Sequence, residues 1–125
     1  MSTPKIIIAG GRDFNDYEFL RDQIDALELP EFEVVSGACR GTDKLGERYA
    51  EERDLPDPKL FPADWDKFGR GAGPIRNEEM ARYADALIAF WDGDSRGTKL
   101  MIDIAERYGL EIKIINYDKD SQNGT

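Results

Sequence analysis

Two short segments of this sequence, Lys5 to Gly10 and Ala86 to Trp91, are apolar at nearly every consecutive position rather than at alternate ones. A strand with such a run is buried on both faces, which is typical of a parallel sheet covered by helices. Further strand patterns at Glu33–Ser36, Lys59–Phe61 and Ile112–Ile115 alternate with amphipathic helical patterns. We therefore expect an α/β fold of three Rossmann-like layers, a mostly parallel sheet of about five strands with helices on both faces.

Polar residues before the helical patterns predict where the helices begin. Asp13 or Asn15 is the expected cap of the first helix, and Thr42 or Asp43 that of the second. The stretch from 62 to 73 is rich in Asp, Gly and aromatic residues, without an apolar period, and is expected to be irregular. Its tryptophan, at position 65, is expected to pack beneath its own loop.

Length and composition indicate one folded unit. With 125 residues, 40% of them hydrophobic, the chain is expected to form a single ligand-binding domain over residues 1–117, followed by a polar, mobile tail over 118–125. No apolar run approaches the roughly 20 residues that span a bilayer, and no secretory leader is evident. We therefore expect a cytoplasmic protein without membrane contacts.

The absence of histidine and the single cysteine exclude several kinds of chemistry. Without histidine there is no Ser–His or Cys–His nucleophile pair and no imidazole acid–base catalysis. Cys39 alone cannot form an intrachain disulfide. The net charge of −9 argues against broad nucleic-acid binding, which needs an extended basic surface, but it leaves room for a local basic pocket.

Glycine-bearing turns follow the predicted strands or open the predicted helices. In a parallel sheet the turns after the strands meet at one edge, where ligands bind at the point at which the winding direction reverses. Glycine lets a ligand approach the backbone, and helix N-termini present N–H groups to anions. We predict a cleft for a phosphorylated small molecule, lined by the following residues: Gly10, Gly11, Arg12, Ser36, Gly37, Gly41, Asp43, Gly73, Arg76, Asn77, Trp91, Ser95, Gly97 and Thr98.

Each of these turns has an expected role. Phosphate is expected on Gly97–Thr98 and on Gly10–Gly11, with Arg12 and Arg76 neutralising its charge. The turn from 36 to 43 would contact ribose or base, and Trp91 would stack on the base or wall the pocket. The alternatives are structural, because Ser95, Thr98 and Asp43 are also ordinary helix caps, and glycines are common in tight turns.

Acidic residues near these turns allow two further roles. Asp92 and Asp94 could hold Mg²⁺ through a ligand phosphate, although acidic pairs in turns are usually only solvated. No other cofactor and no metal site built by the protein alone is predicted. In the event that the protein is an enzyme, Arg76 and a carboxylate such as Glu79 or Asp43 are expected to assist departure of the leaving group, and Glu79 is the nearest spare carboxylate.

The four turns together resemble a known family. Gly-Gly-Arg-Asp-Phe from Gly10, Ser-Gly-x-x-x-Gly-x-Asp from Ser36, Gly-Pro-x-Arg-Asn-x-x-Met from Gly73 and Trp-Asp-Gly-x-Ser-x-Gly-Thr from Trp91 look like the YspA/YpsA-related branch of the SLOG superfamily. The likeness runs from Lys5 to Ile115. It implies a Rossmann-like sheet, a pocket for a nucleotide or nucleotide-derived ligand, and a homo-oligomer, in a group common in bacteria and their phages.

The relatives suggest three functions. Some bind or sense nucleotide-derived ligands, which is the expectation for this chain. Others are phosphoribohydrolases that cut the N-glycosidic bond of a nucleoside monophosphate. Their motif Pro-Gly-Gly-x-Gly-Thr-x-x-Glu matches here at Gly97 and Thr98, but Asp94-Ser95 replaces its Gly-Gly and Met101 replaces its glutamate. The third is an adaptor that acts through protein contacts and keeps a vestigial pocket.

Overall fold

The protein alternates strands and helices along the whole of residues 3–118, the part of the chain that this computed structural model describes. In chain order the elements are β1 Lys5–Gly10, α1 Tyr17–Ala26, β2 Glu33–Ser36, α2 Thr42–Glu52, β3 Lys59–Leu60, α3 Trp65–Phe68, a 3-10 turn Gly69–Gly71, α4 Ala72–Tyr83, β4 Ala86–Trp91, α5 Arg96–Arg107 and β5 Glu111–Asn116. The predicted tail, 118–125, lies outside the described residues except for Asp118.

The five strands form one sheet in the order β3-β2-β1-β4-β5, and every pair of neighbours is parallel. The apolar runs of β1 and β4 lie side by side at the centre, where Ile7 pairs with both Val35 and Leu87. This confirms the predicted α/β fold. Because the chain winds outward from β1 in one direction and resumes at β4 in the other, the winding reverses between these two strands.

Consecutive residues of the central strands enter two separate cores, one on each face of the sheet. Ile6 and Ile8 pack with α1 and α2, while Ile7 and Ala9 pack with α4 and α5. Ile7 and Ile8 are fully buried, and the burial of one such side chain stabilises a fold by about 1.5–3 kcal/mol. The continuous apolar pattern thus has the physical reason that the sequence suggested: both faces are covered.

The predicted caps of two helices, α1 and α2, are wrong by one to three residues. Asp16, rather than Asp13 or Asn15, caps α1 by accepting a hydrogen bond from the Phe19 N–H at 3.1 Å. Helix α2 begins after Gly41, whose φ of +77° suits glycine, and no side chain caps it.

The segment expected to be irregular contains α3 and a 3-10 turn that lead directly into α4. Residues 65–71 include no buried residue, so no apolar period revealed these turns in the sequence. Each helix within residues 3–118 falls short of the length and apolarity needed to cross a bilayer.

Candidate functional site

A cleft of about 680 Å³ opens at the carboxyl ends of the central strands, where the winding of the sheet reverses. Helices α2, α4 and α5 contribute residues from their first turns to it, since helices in a parallel α/β fold start at this edge. Its lining comprises Ala9, Gly10, Gly11, Arg12, Asp13, Cys39, Arg40, Asp43, Trp65, Gly73, Pro74, Arg76, Asn77, Met80, Asp92, Ser95, Gly97, Thr98, Leu100, Met101 and Tyr117.

Most of the residues predicted to contact a ligand lie together in this lining. They come from three of the four glycine-bearing turns and from one residue of the fourth: Gly10, Gly11, Arg12, Asp43, Gly73, Arg76, Asn77, Ser95, Gly97 and Thr98. Positions far apart in the sequence therefore share one cavity.

The other predicted residues of the turn between β2 and α2 do not line the cleft but make contacts within the protein. Ser36 is buried and donates to Glu47 Oε2 at 2.6 Å. The Gly37 carbonyl accepts from Arg76 Nη1 at 2.7 Å. Gly41 packs against the backbone of Arg12, where a Cβ would overlap the carbonyl group. Ser36, Gly37 and Gly41 thus hold the turn in shape and are absent from the cleft lining.

Trp91 and Glu79 also lie outside the lining. The Trp91 indole N–H donates to the Ser95 carbonyl at 3.1 Å, and the ring packs against the apolar core below α5. Glu79 is exposed, because the face of α4 toward the cleft carries residues 73, 76, 77 and 80 at helical spacing. Neither side chain occupies the position that the sequence suggested.

Arg76 is the most buried cation of the cleft, with 7% of its surface exposed. Its Nε donates to Asn77 Oδ1 at 2.8 Å, and its Nη1 donates to the Gly37 carbonyl at 2.7 Å and to Cys39 Sγ at 3.5 Å. Among residues 3–118 it forms no ion pair within 4.0 Å, and its Nη2 has no acceptor. A buried cation in this state is costly unless an anion joins it.

Asp43 is a buried carboxyl group in the same wall, 8% exposed, and it accepts a hydrogen bond from the Cys39 N–H at 3.1 Å. Burial raises its pKa from the usual value to about 6, although the Cys39 hydrogen bond and the charge of Arg76 act in the opposite direction. Arg76 and Asp43 both lie against Gly37, where a Cβ would be 2.7 Å from Arg76 Nη1 and 2.9 Å from Asp43 Oδ2.

The N-terminus of α5 forms the opposite wall. Ser95 caps the helix, which was the structural alternative for this residue, and its Oγ accepts from the Thr98 N–H at 3.4 Å and from the Thr98 hydroxyl at 3.1 Å. The N–H groups of Arg96 and Gly97 have no intrahelical acceptor, as in the first turn of any helix. A Cβ at Gly97 would meet no atom within 4 Å, so this residue borders open space.

Gly10, the last residue of β1, and Gly11, which follows it, both pack closely against other parts of the chain. A Cβ at Gly10 would overlap the Phe90 carbonyl oxygen and lie 2.7 Å from Thr42 Oγ1, and one at Gly11 would overlap the Tyr117 hydroxyl. Thr42 donates through that Oγ1 to the Gly11 carbonyl at 3.0 Å. Both glycines line the cleft, and the backbone contact at Gly10 explains that glycine without a ligand.

Charged side chains of both signs surround the mouth of the cleft. Arg12 is exposed, while Arg40 and Asp13 form an exposed ion pair of 3.4 Å. Asp92 Oδ1 accepts from the N–H groups of Asp94 and Ser95, both at 2.8 Å, and so organises the turn before α5. Asp94 is exposed and outside the lining, so the two carboxylates do not converge on the cleft as a Mg²⁺ site would require.

No group of three or more Asp, Glu, Cys or His side chains suited to a metal ion occurs within residues 3–118. The possibility of Mg²⁺ carried by a phosphorylated ligand stays a prediction.

Two aromatic residues of the cleft were missed from the sequence. Trp65 is half exposed rather than packed beneath its loop, and it stands on α3, whose existence the sequence did not reveal. Tyr117 follows the last strand and packs on Phe14, with 4.6 Å between ring centroids. Burial, together with the carboxylates of Asp92 and Asp13, raises the pKa of its hydroxyl. Its position directly after β5 was the available signal.

Sequence comparison with known proteins identifies the family of this chain. The sequence model of the family described as "YspA, cpYpsA-related SLOG family" matches residues 4–68, which is just over half of the chain. A relative, the Gene 61 protein of Mycobacterium phage D29, is 35% identical over 121 residues, covering 90% of this chain and 95% of its own length. The protein therefore belongs to the YspA, cpYpsA-related SLOG family.

Proposed function

We propose that the protein binds a nucleotide or a nucleotide-derived ligand in this cleft. Family membership supports a nucleotide-related role for a Rossmann-like domain of this kind. The cleft supports it independently, because it combines helix N-termini, arginines and a volume suited to a small molecule.

The observation that carries the proposal is the state of Arg76. It is buried beside the cleft, it lacks an ion-pair partner among the described residues, and two of its N–H donors remain unused on Nη2. A ligand phosphate would supply both the missing charge and the missing acceptors. The fixed contacts of its Nε and Nη1 hold the guanidinium in place before the ligand arrives.

The first turn of α5 is the proposed second contact for phosphate. The N–H groups of Arg96 and Gly97 lie at the positive end of the helix dipole, and Gly97 and Thr98 line the cleft, so an anion bound there would be stabilised. Arg12, exposed on the turn after β1, would close over the ligand from the third side. In this proposal Gly97 and Thr98 bind the phosphate and Arg12 neutralises its charge, the roles that the sequence predicted.

Isothermal calorimetry with a panel of nucleoside monophosphates, dinucleotides and ADP-ribose tests the proposal. Arg76→Ala should weaken binding roughly 10- to 100-fold, the usual effect of losing hydrogen bonds to a charged group. Arg82→Ala, which removes an exposed arginine from the same helix, is the matched control and should bind like the wild type. A protein that binds no member of the panel, or an Arg76→Ala variant with unchanged affinity, would refute the proposal.

A bulky side chain at position 97 is a second test of ligand binding, and it should not disturb the fold. Gly97→Val adds its side chain to open space, so the free energy of unfolding should stay near the wild-type value while binding is lost.

Hydrolysis of a nucleoside monophosphate is the second candidate, and Asp43 is the observation in its favour. A buried carboxyl group with a pKa of about 6, close to Arg76, has the protonation behaviour of a general acid. Against it, the apolar side chain of Met101 lines the cleft at the position of the enzymes' glutamate. Incubation with AMP, GMP and CMP followed by chromatography for free base, with Asp43→Asn as control, decides between binding and turnover.

A further inference from the structure

Trp65 presents a large aromatic surface at the mouth of the cleft. Half of its surface is exposed, although tryptophan is usually well buried, and the residue belongs to the cleft lining. The phosphate contacts proposed above do not use it. An exposed indole beside a polar cavity therefore needs its own explanation.

The position of this indole is fixed from two sides. Asp64 caps α3 by accepting from the Lys67 N–H at 3.1 Å, which holds the short helix that carries the ring. One corner of the ring, Cη2, lies 3.6 Å from the point where a Cβ of residue 73 would be. Since residue 73 is glycine, no side chain lies between this edge of the ring and α4 at that point. A surface held in this way is pre-organised for a flat partner.

The same point of α4 also brings the indole close to the buried cation. Arg76 Nη2, the guanidinium nitrogen without an acceptor, lies 4.0 Å from that Cβ position. A ligand that reaches both groups must carry an anionic group and a flat apolar ring a short distance apart. Leu100, which also lines the cleft, adds apolar surface of the kind that an aromatic ring prefers.

Trp91, the only other tryptophan of the sequence, is unsuited to this role. Its N–H is bound to the Ser95 carbonyl, and its ring belongs to the core rather than to the cleft. Of the two tryptophans, Trp65 lines the cleft and Trp91 does not.

We propose that Trp65 is the surface on which the base of the bound nucleotide stacks, so that the cleft selects ligands with an aromatic base over bare sugar phosphates. This inference rests on the proposed function. Stacking between a base and an aromatic side chain tolerates every base, so selection is for the presence of a base rather than for its identity.

Affinities for nucleotides and for a base-free probe test the inference. AMP, GMP, CMP, UMP and ADP-ribose are titrated against the wild type and Trp65→Ala, with ribose 5-phosphate as the probe that lacks a base. Trp65→Ala should bind the nucleotides about 5- to 100-fold more weakly, the range expected for one stacked base, and should bind ribose 5-phosphate within about twofold of the wild type. Trp65→Phe should recover most of the nucleotide affinity.

Phe68→Ala is the matched control, because this exposed aromatic residue lies on the same short helix but outside the cleft. Its affinities should equal those of the wild type. A Trp91→Phe variant leaves Trp65 as the sole tryptophan, and nucleotides should change its fluorescence where ribose 5-phosphate does not.

The outcomes separate the two proposals. If nucleotides and ribose 5-phosphate bind equally and Trp65→Ala alters neither, the stacking inference is wrong while the anion site stands. A Trp65→Ala variant that loses both probes to the same degree also overturns stacking, since its effect would be on the shape of the cleft. If the wild type binds none of the probes, the proposed function fails and the inference fails with it.

Discussion

Arg76 and Asp43 illustrate how much depends on single side chains in this cleft. Both are buried, both lie against Gly37, and they carry opposite charges when ionised. The raised pKa of Asp43 shows that burial outweighs the attraction of the nearby guanidinium. The ionised form of this carboxyl group is therefore unfavourable in the folded protein and lowers the free energy of unfolding.

The free energy of unfolding should depend on Asp43 between pH 4 and pH 6. The carboxyl group of an unfolded chain ionises near pH 4, whereas in the folded protein its pKa is about 6. In this window the folded state binds more protons, so stability falls as the pH rises, and the full cost persists above pH 6. Asp43→Asn removes this cost and keeps an oxygen for the Cys39 N–H.

Denaturant unfolding of wild type and Asp43→Asn from pH 4 to pH 8 measures the effect. The stability of the variant relative to the wild type should increase by on the order of 2 kcal/mol between pH 4 and pH 7 and then stay level. All other titrating groups are common to both proteins, so they cancel in the difference. A difference that does not vary with pH would contradict the prediction.

Gly10 and Gly97 should respond to alanine in opposite ways, although both are cleft glycines. At Gly10 the added methyl group overlaps the Phe90 carbonyl oxygen, which should cost about 1–3 kcal/mol of unfolding free energy. At Gly97 the methyl group meets no neighbour, and alanine in a helix should be neutral or stabilise by up to roughly 1 kcal/mol. Thermal and denaturant unfolding of the two variants gives the comparison, and equal losses would disprove the packing explanation.

Among the secondary-structure elements, α5 combines a structural and a proposed binding role at one residue. Ser95 caps the helix, and the same turn is the proposed phosphate contact. Ser95→Ala should lower the free energy of unfolding by about 1 kcal/mol through loss of the cap. Ser95→Asp and Ser95→Asn both restore a cap, but only the aspartate adds negative charge beside the ligand phosphate.

Calorimetry on the capped variants then separates the two roles. Ser95→Asp should fold like the wild type and bind nucleotide at least tenfold more weakly, whereas Ser95→Asn should approach the wild type in both respects. Equal binding by the two variants would mean that no anion approaches this end of α5.

The elements that could be predicted from the sequence are those with a strong apolar period. The continuous runs of β1 and β4 are visible because both faces of these strands are buried. Helix α3 could not be predicted from the sequence, because Trp65 and Phe68 are exposed and the helix has no buried apolar face. The cap of α1 was assigned to the wrong residue, because several polar residues precede it and only the three-dimensional hydrogen bond selects Asp16.

The location of the cleft could be predicted from the sequence, but the exact set of residues that line it could not. The parallel order puts the turns after the strands at one edge, so Arg76, Ser95 and Gly97 could be grouped from the sequence. Whether a residue faces the cavity or supports it depends on tertiary contacts. Ser36 with Glu47 and Trp91 with Ser95 are such contacts, and no pattern in the sequence reports them.

For the molecule as a whole, charge argues for a small ligand rather than a polymer. The chain has a net charge of −9. The lining of the cleft contains three arginines and three aspartates, so the cleft is not an extended basic surface either. Long nucleic acids need many phosphate contacts, and their binding weakens steeply with salt. The predicted homo-oligomer remains a prediction that light scattering can measure.

Fluorescence anisotropy with labelled 30-nucleotide single-stranded and duplex DNA tests the charge argument. At about 150 mM salt we expect no binding at micromolar protein concentrations, because the surface repels the phosphate backbone. A nucleotide titrated in the same buffer serves as the positive control. Binding of either DNA that weakens as salt rises would contradict this prediction.

The close packing around Gly10 affects how relatives of this fold should be compared. Because the Phe90 carbonyl oxygen leaves no room for a Cβ at this position, a relative without a ligand would still retain the glycine. Sorting homologues by this residue would group them by scaffold and reveal little about their function. Under the proposed function Arg76 is the better diagnostic, since a buried arginine with unused donors on Nη2 is costly in a relative whose cleft binds no anion.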